Sequence, residues 1–231
     1  MQERIYTIPV NEAFEQSEGG CPFCLLFKRL EDTELDLILG ASMMEPDIRK
    51  VTNEKGFCKL HFTKMYHLKN RLGLALMLES HLAELKKEVG TGGLFAKNIG
   101  AKPVARIEKL EKSCYVCDTI NEKLSKMFST AIYLYETETE FAEKLRHQKM
   151  LCLPHYKRLL ETAYGSMNKK KYERLVNDAD KIVSNYISAL KEDVSWFCKK
   201  FDYRYDDQPW GNAKSAVERS IRFLSGPADL D

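Results

Sequence analysis

From Met65 onward the apolar side chains fall at Met65, Leu68, Leu72, Ala75, Leu78, Leu82, Leu85 and Val89, in steps of three or four that place them on one stripe of a helix. The spacing predicts one long amphipathic helix that ends at Gly90. The same period returns at Tyr172, Leu175, Ala179, Ile182, Tyr186 and Ala189 and runs on to Val194 and Phe197, which predicts a second long helix, interrupted near Gly165. Pro22 and Pro46 suit the first turn of a helix, where a missing N–H costs nothing, and Lys169-Lys-Lys171 marks a further helix start. Only Glu3-Arg-Ile-Tyr-Thr-Ile-Pro9 reads as a strand, too short and isolated to define a sheet. The expected class is all-α.

The cysteines interrupt this pattern in an ordered way. Cys21-Pro-Phe-Cys24 is followed by Cys58-Lys-Leu-His61, and Cys114-Tyr-Val-Cys117 by Cys152-Leu-Pro-His155. From Cys24 to Cys58 is 34 positions and from Cys117 to Cys152 is 35, so one inserted residue aligns the two halves. The likeness extends past the cysteines: Phe62 and Tyr156 follow the histidines, Gly73 and Gly165 come 12 and 10 residues after them, and Glu45 and Glu138 lie 21 residues past each CxxC. Such self-similarity is the mark of a duplicated unit. The glycine-rich stretch from Gly90 to Pro103 reads as the connector. The expected organisation is a first unit over 1–92, a second over 93–200 and a C-terminal strap and helix over 201–231, with the two metal-bound helical units fused into one bundle.

A tetrahedral Zn²⁺ site needs four Cys or His ligands, and two closely spaced pairs are a common way to supply them. Side chains three apart lie on one side of a helical turn, so Cys58 and His61 can converge on one ion, as can Cys152 and His155. If Cys21 precedes its helix with Pro22 in the first turn, the positive end of the helix favours a thiolate there. Taken within each unit, the expected sites are Cys21, Cys24, Cys58 and His61, and Cys114, Cys117, Cys152 and His155, two zinc ions per chain. The spacing equally permits the CxxC of one unit to pair with the CxxH of the other. Sequence fixes ligand type better than metal, and an iron–sulfur cluster on three thiolates and an imidazole is the alternative.

Cys21-Pro-Phe-Cys24 also has the form of a thiol-exchange motif, in which the first thiolate attacks disulfides from a helix N-terminus. Against an oxidoreductase stand the lack of alternating strands and helices and the absence of a proline in Cys114-Tyr-Val-Cys117. Cys198 has no counterpart in the first unit and is expected to be a packed core thiol. His67, His81 and His147 are expected to be solvated or to cap helices, with His147 near enough to Cys152 in sequence to support a ligand as the alternative. The segment Phe201 to Gly211 gathers aromatics and charges, with Tyr203, Tyr205 and Trp210 suited to a strap across the bundle. A ligand or partner groove involving Arg204, Trp210, Arg219 and Arg222 is the sharper possibility. No phosphate loop, GxSxG or HExxH appears, and a Cys₃His site leaves no open coordination position, so the metal is expected to be structural, which leans against an enzyme and leaves that question open.

Composition narrows the setting. Of 231 residues, 44% are hydrophobic and 30% charged, as in globular proteins. Lys+Arg 36 against Asp+Glu 34 leaves a net charge of +2, too little to draw the chain to nucleic acid or anionic lipid. Neither a signal-type apolar region nor a run long enough to span a membrane is visible, and a cytoplasmic location is expected, where seven cysteines suit metal better than disulfides. The N-terminal Ile-Tyr-Thr-Ile-Pro-Val-Asn-Glu-Ala-Phe, the CPFC, Gly56-Phe-Cys-Lys-Leu-His61, the second CxxC with Cys152-Leu-Pro-His155, and Lys200-Phe-Asp-Tyr-Arg together resemble an uncharacterised bacterial family, a domain of unknown function found mainly in anaerobic Gram-positive bacteria. The resemblance implies a cytosolic bacterial protein and brings no activity with it. Its partner, a protein or a small molecule, is left open.

Overall fold

Lys69 ends the first of the two long helices before it has run three turns. The computed structural model describes residues 4–89 and 100–227. In it Lys69 adopts a φ of 63°, Asn70 then accepts the Gly73 N–H on its Oδ1 at 3.0 Å, and a new helix starts. Asn is among the best residues for that position, because its side chain satisfies an amide that the helix leaves unpaired. The expected continuous helix is thus two, α4 (Lys59–His67) and α5 (Arg71–Val89). The break resets the phase: α5 buries Gly73, Leu74, Met77 and His81, while Leu72 and Leu82 from the expected stripe stand 70% and 59% exposed.

The described residues form eleven α-helices and no strand, so the chain is all-α. Besides α4 and α5 these are α1 (Thr7–Glu15), α2 (Pro22–Leu39), α3 (Pro46–Lys55), α6 (Ala101–Lys112), α7 (Tyr115–Thr137), α8 (Thr139–Arg146), α9 (Leu153–Tyr164), α10 (Lys169–Lys199) and α11 (Ala216–Ser225). Pro22 and Pro46 open α2 and α3 as expected, and the interruption near Gly165 separates α9 from α10. Glu45 and Glu138, the matched glutamates, each stand in extended backbone immediately before a helix. The candidate strand is corrected: residues 4–6 form a 3₁₀ turn, and Pro9 sits in the first turn of α1. Residues 90–99 of the expected connector lie outside the described residues, and Pro103 lies in the first turn of α6. No helix among the described residues is long and apolar enough to cross a membrane.

Two compact units emerge, one of residues 29–123 and one of the described residues of 1–28 and 124–231. Both α2 and α7 contribute to each unit, so these boundaries differ from the spans 1–92, 93–200 and 201–231. The unit of residues 29–123 packs α3 and α6 on α5, with Leu35, Ile38, Leu39, Phe57, Met65 and Met77 buried. Gly73 lets α5 approach closely, since a Cβ there would stand 2.5 Å from the Leu39 carbonyl oxygen.

The other unit is built on α10, against which α8, α9 and α11 pack. Leu175, Ala179 and Ile182 are buried as the periodicity predicts. Four phenylalanines form its centre: Phe23 stacks on Phe128 at 3.9 Å, and Phe14 meets Phe23 at 5.4 Å and Phe141 at 4.8 Å. Each such ring contributes on the order of 2–3 kcal/mol by burial. After α10 the chain folds back as a strap. Lys200, 6% exposed, donates its ammonium to the carbonyls of Tyr205, Asp206 and Gln208 at 2.6, 2.9 and 2.8 Å. Trp210 packs edge-on against Phe197, and the Trp196 indole donates to the Pro209 carbonyl at 3.1 Å.

Candidate metal centres

Each CxxC and each CxxH begins a helix. Cys58 and Cys152 are the N-cap residues of α4 and α9, with extended backbone, and His61 and His155 are the third helical residues. Cys21 and Cys114 stand immediately before α2 and α7, and the amides of Leu25 and Asp118 bond to their carbonyls at 3.2 and 3.0 Å. Cys24 and Cys117 are the third residues of those helices. This is the spacing at which an N-cap side chain and one in the first turn face each other, as in a capping box. Every one of the four motifs therefore presents two ligand atoms over the positive end of a helix, where thiolates are favoured. Gly56 makes the approach to Cys58 possible: its φ of 63° turns the chain out of α3, and its carbonyl then accepts the Tyr115 amide at 3.0 Å, tying one motif to the other.

The motifs combine crosswise. Cys21 and Cys24 meet Cys152 and His155, and Cys58 and His61 meet Cys114 and Cys117; within each set all four ligand atoms lie within 4.8 Å of one another. The sets expected within each unit, Cys21-Cys24-Cys58-His61 and Cys114-Cys117-Cys152-His155, are not the ones the fold assembles. The reason is that α2 and α7 place their N-terminal cysteines with the opposite CxxH. Each cluster now lies inside one compact unit.

Bond lengths of about 2.3 Å to sulfur and 2.0–2.1 Å to nitrogen put the corners of a tetrahedron about 3.5–3.8 Å apart. In the first cluster Cys24 Sγ lies 3.5 Å from Cys152 Sγ, and His155 Nδ1 is 3.6, 3.4 and 3.2 Å from the sulfurs of Cys21, Cys24 and Cys152. In the second, Cys58 Sγ is 3.9 Å from Cys117 Sγ, and His61 Nδ1 is 3.2, 3.3 and 3.4 Å from Cys58, Cys114 and Cys117. These separations suit one ion per cluster. They are far longer than the ~2.05 Å of a disulfide, and all of these cysteines are free thiols.

The electrostatics point the same way. At Cys21 burial opposes ionisation, yet hydrogen bonds with Cys152, Cys24 and His155 hold its thiol well below the usual range. Its neighbours give way: hydrogen bonding with Cys152 and Cys21 drives Cys24 upward, and Cys21 pushes Cys152 up to about 12. In the second cluster Cys114 falls to about 6 against burial, helped by His61, while burial and Cys114 raise Cys117. His61 rises to about 10 despite burial, through Cys114 and Glu31. Each pocket thus favours one thiolate, Cys21 in the first and Cys114 in the second, whose charge disfavours ionisation of Cys24 and Cys152 in the one and of Cys117 in the other. A divalent cation removes that conflict.

Around the ligands the two centres differ. Beyond the second lie Glu31, which takes the His61 Nε2–H at 3.1 Å, and Lys64, which donates to the other Glu31 oxygen at 2.6 Å. Around the first, the His155 ring lies 6.0 Å from Phe23 and 5.8 Å from Phe128. Sequence reasoning missed Glu31; the signal was its place, with Glu34, on the helix face that carries Leu35 and Ile38.

Other expectations resolve less favourably. Cys198 is exposed, not a core thiol, because it falls on the outer face of α10. His147 bonds back to the Glu143 carbonyl at 2.8 Å at the end of α8 and supports no ligand. His81 is buried, its charged form disfavoured by that burial and by Arg106. Of the groove residues, Arg204 forks onto Asp202, Arg219 bonds to Asp193 of α10 and to the Asn212 carbonyl, Trp210 packs on Phe197 and Phe201, and Arg222 is exposed.

A family model matches residues 1–231, and the chain belongs to that family, DUF6062, a family of unknown function. Comparison with curated proteins and with solved structures found no match.

Proposed function

We propose that this member of a family of unknown function is a two-zinc protein in which each ion clamps the starts of two helices, and that the resulting scaffold serves as a binding module for a protein or small-molecule partner. The observation that carries the metal reading is the gathering of three sulfurs and one imidazole nitrogen within 4.8 Å, twice. Zinc is favoured because Cys₃His is one of its usual structural ligand sets. An iron–sulfur cluster divides its four protein ligands between two or four irons and so spreads some of them farther apart than the 4.8 Å within which all four lie here. The repeated motif spacing supports an origin by duplication.

The role of the ions is structural. Four protein ligands complete the tetrahedron and leave no position for a substrate or an activated water. Thiol exchange would need an accessible attacking sulfur, and Cys21 is 3% exposed. Elemental analysis of protein purified without added metal tests the reading. About two zinc per colourless chain supports it; brown protein with iron and sulfide, or protein free of metal, overturns it.

A further inference from the structure

We infer that Glu31 is a positioning residue for His61, and that it makes the Cys58/His61/Cys114/Cys117 centre bind its ion by a different device from the Cys21/Cys24/Cys152/His155 centre. The inference rests on the metal reading above and concerns what lies behind the ligands.

Glu31 is 3% exposed on the buried face of α2. A carboxylate out of water costs several kcal/mol unless it is fully partnered, on the order of the penalty for any buried ion. Here both oxygens are used: Oε1 accepts from His61 Nε2 and Oε2 from the Lys64 ammonium. A neutral imidazole has one donor and one acceptor nitrogen. A histidine that binds a metal is neutral, and with Nε2–H committed to Glu31 the nitrogen left to bind is Nδ1, which lies 3.2–3.4 Å from the three sulfurs. Carboxylate-supported histidines are more basic ligands and are fixed in ring orientation, which is worth roughly 10- to 100-fold in metal affinity.

The other centre lacks the device at the matching place. Glu31 is seven residues past Cys24; seven past Cys117 stands Leu124, 1% exposed. A basic residue is present three positions after both histidines, Lys64 and Arg158. The acid is what differs. Beside His155 lie the rings of Phe23 and Phe128, at 6.0 and 5.8 Å.

The test isolates one centre. In a full-length chain carrying Cys21→Ser and Cys152→Ser, one zinc remains, and its affinity is read by competition with a chromophoric chelator. Adding Glu31→Gln should weaken it 10- to 100-fold, shift the absorption bands of the Co²⁺-substituted centre, and leave the far-ultraviolet helix signal intact. In the converse background, Cys58→Ser with Cys117→Ser, the same substitution should change the remaining affinity less than twofold. Nitrogen NMR of the zinc-loaded chain should place the His61 proton on Nε2. Equal affinities with and without Glu31, or a His61 proton on Nδ1, would overturn the inference while leaving the zinc reading intact; absence of any zinc in the unmutated chain would overturn both. Should Glu31→Gln lose helix signal, Lys64→Met provides the second variant, and an unchanged affinity there with a proton on Nδ1 counts against the inference equally.

Discussion

Cys24 Sγ lies 3.5 Å from Cys152 Sγ across 128 positions of chain. His61 Nδ1 likewise meets Cys114 Sγ across 53. An ion at each place would close two long loops, and on the scale known for disulfides a loop of about 100 residues removes close to 5 kcal/mol of unfolded-chain entropy. Metal would therefore set the stability of this fold as well as its local geometry.

Chelation should show this. Stripping the ions exposes the thiols to the repulsion described above and opens both loops, so the melting temperature should fall by at least about 10 °C. Readdition of Zn²⁺ should restore it. Differential scanning calorimetry in the presence and absence of a strong chelator checks the point, and identical melting curves would speak against structural metal.

Replacing single cysteines should separate ligand from bystander. Cys58→Ser removes a ligand at the start of α4 and should cost one ion and several degrees of melting temperature. Cys198→Ser changes an exposed residue of α10 and should fall within about 0.5 kcal/mol of the unmutated chain. Equal losses for the two would remove the second centre from the account.

Thiol accessibility gives an independent count. With six cysteines held by metal, a disulfide reagent should label one thiol quickly in the native protein, Cys198, and all seven once metal is chelated and the chain unfolded. Mass spectrometry of the labelled peptide identifies the fast site.

The strap depends on Lys200. Its ammonium is buried and bonded to three carbonyls, so Lys200→Met leaves those oxygens without their donor and should cost about 2–4 kcal/mol. Denaturant unfolding measures the loss. An effect below about 0.5 kcal/mol would mean that the aromatic packing of Trp210 alone holds the segment.

The helical class and the eight residues that gather into the two Cys/His clusters were legible in the chain, because periodicity and i,i+3 spacing are local quantities. The break at Lys69 was not read, although the sequence carried a hint in Asn70, a good cap one position before α5. Apolar periodicity alone could not reveal it, since Leu72, Ala75 and Leu82 continue the same three-and-four rhythm on what becomes the exposed side. The pairing of ligands was equally beyond local reading: CxxC and CxxH each fix one half of a site, and which halves meet depends on where α2 and α7 run. Glu31 escaped notice because a charged residue at a buried helical position has meaning only once its partners, His61 and Lys64, are in place.

The crosswise pairing is most directly tested by metal content in two double variants. Cys21→Ser with Cys152→Ser damages one cluster twice, whereas Cys21→Ser with Cys58→Ser damages both clusters once. Elemental analysis should find about one zinc per chain in the first variant and close to none in the second. The opposite result, none in the first and one in the second, would show that each CxxC binds metal with the CxxH that follows it and would contradict the account.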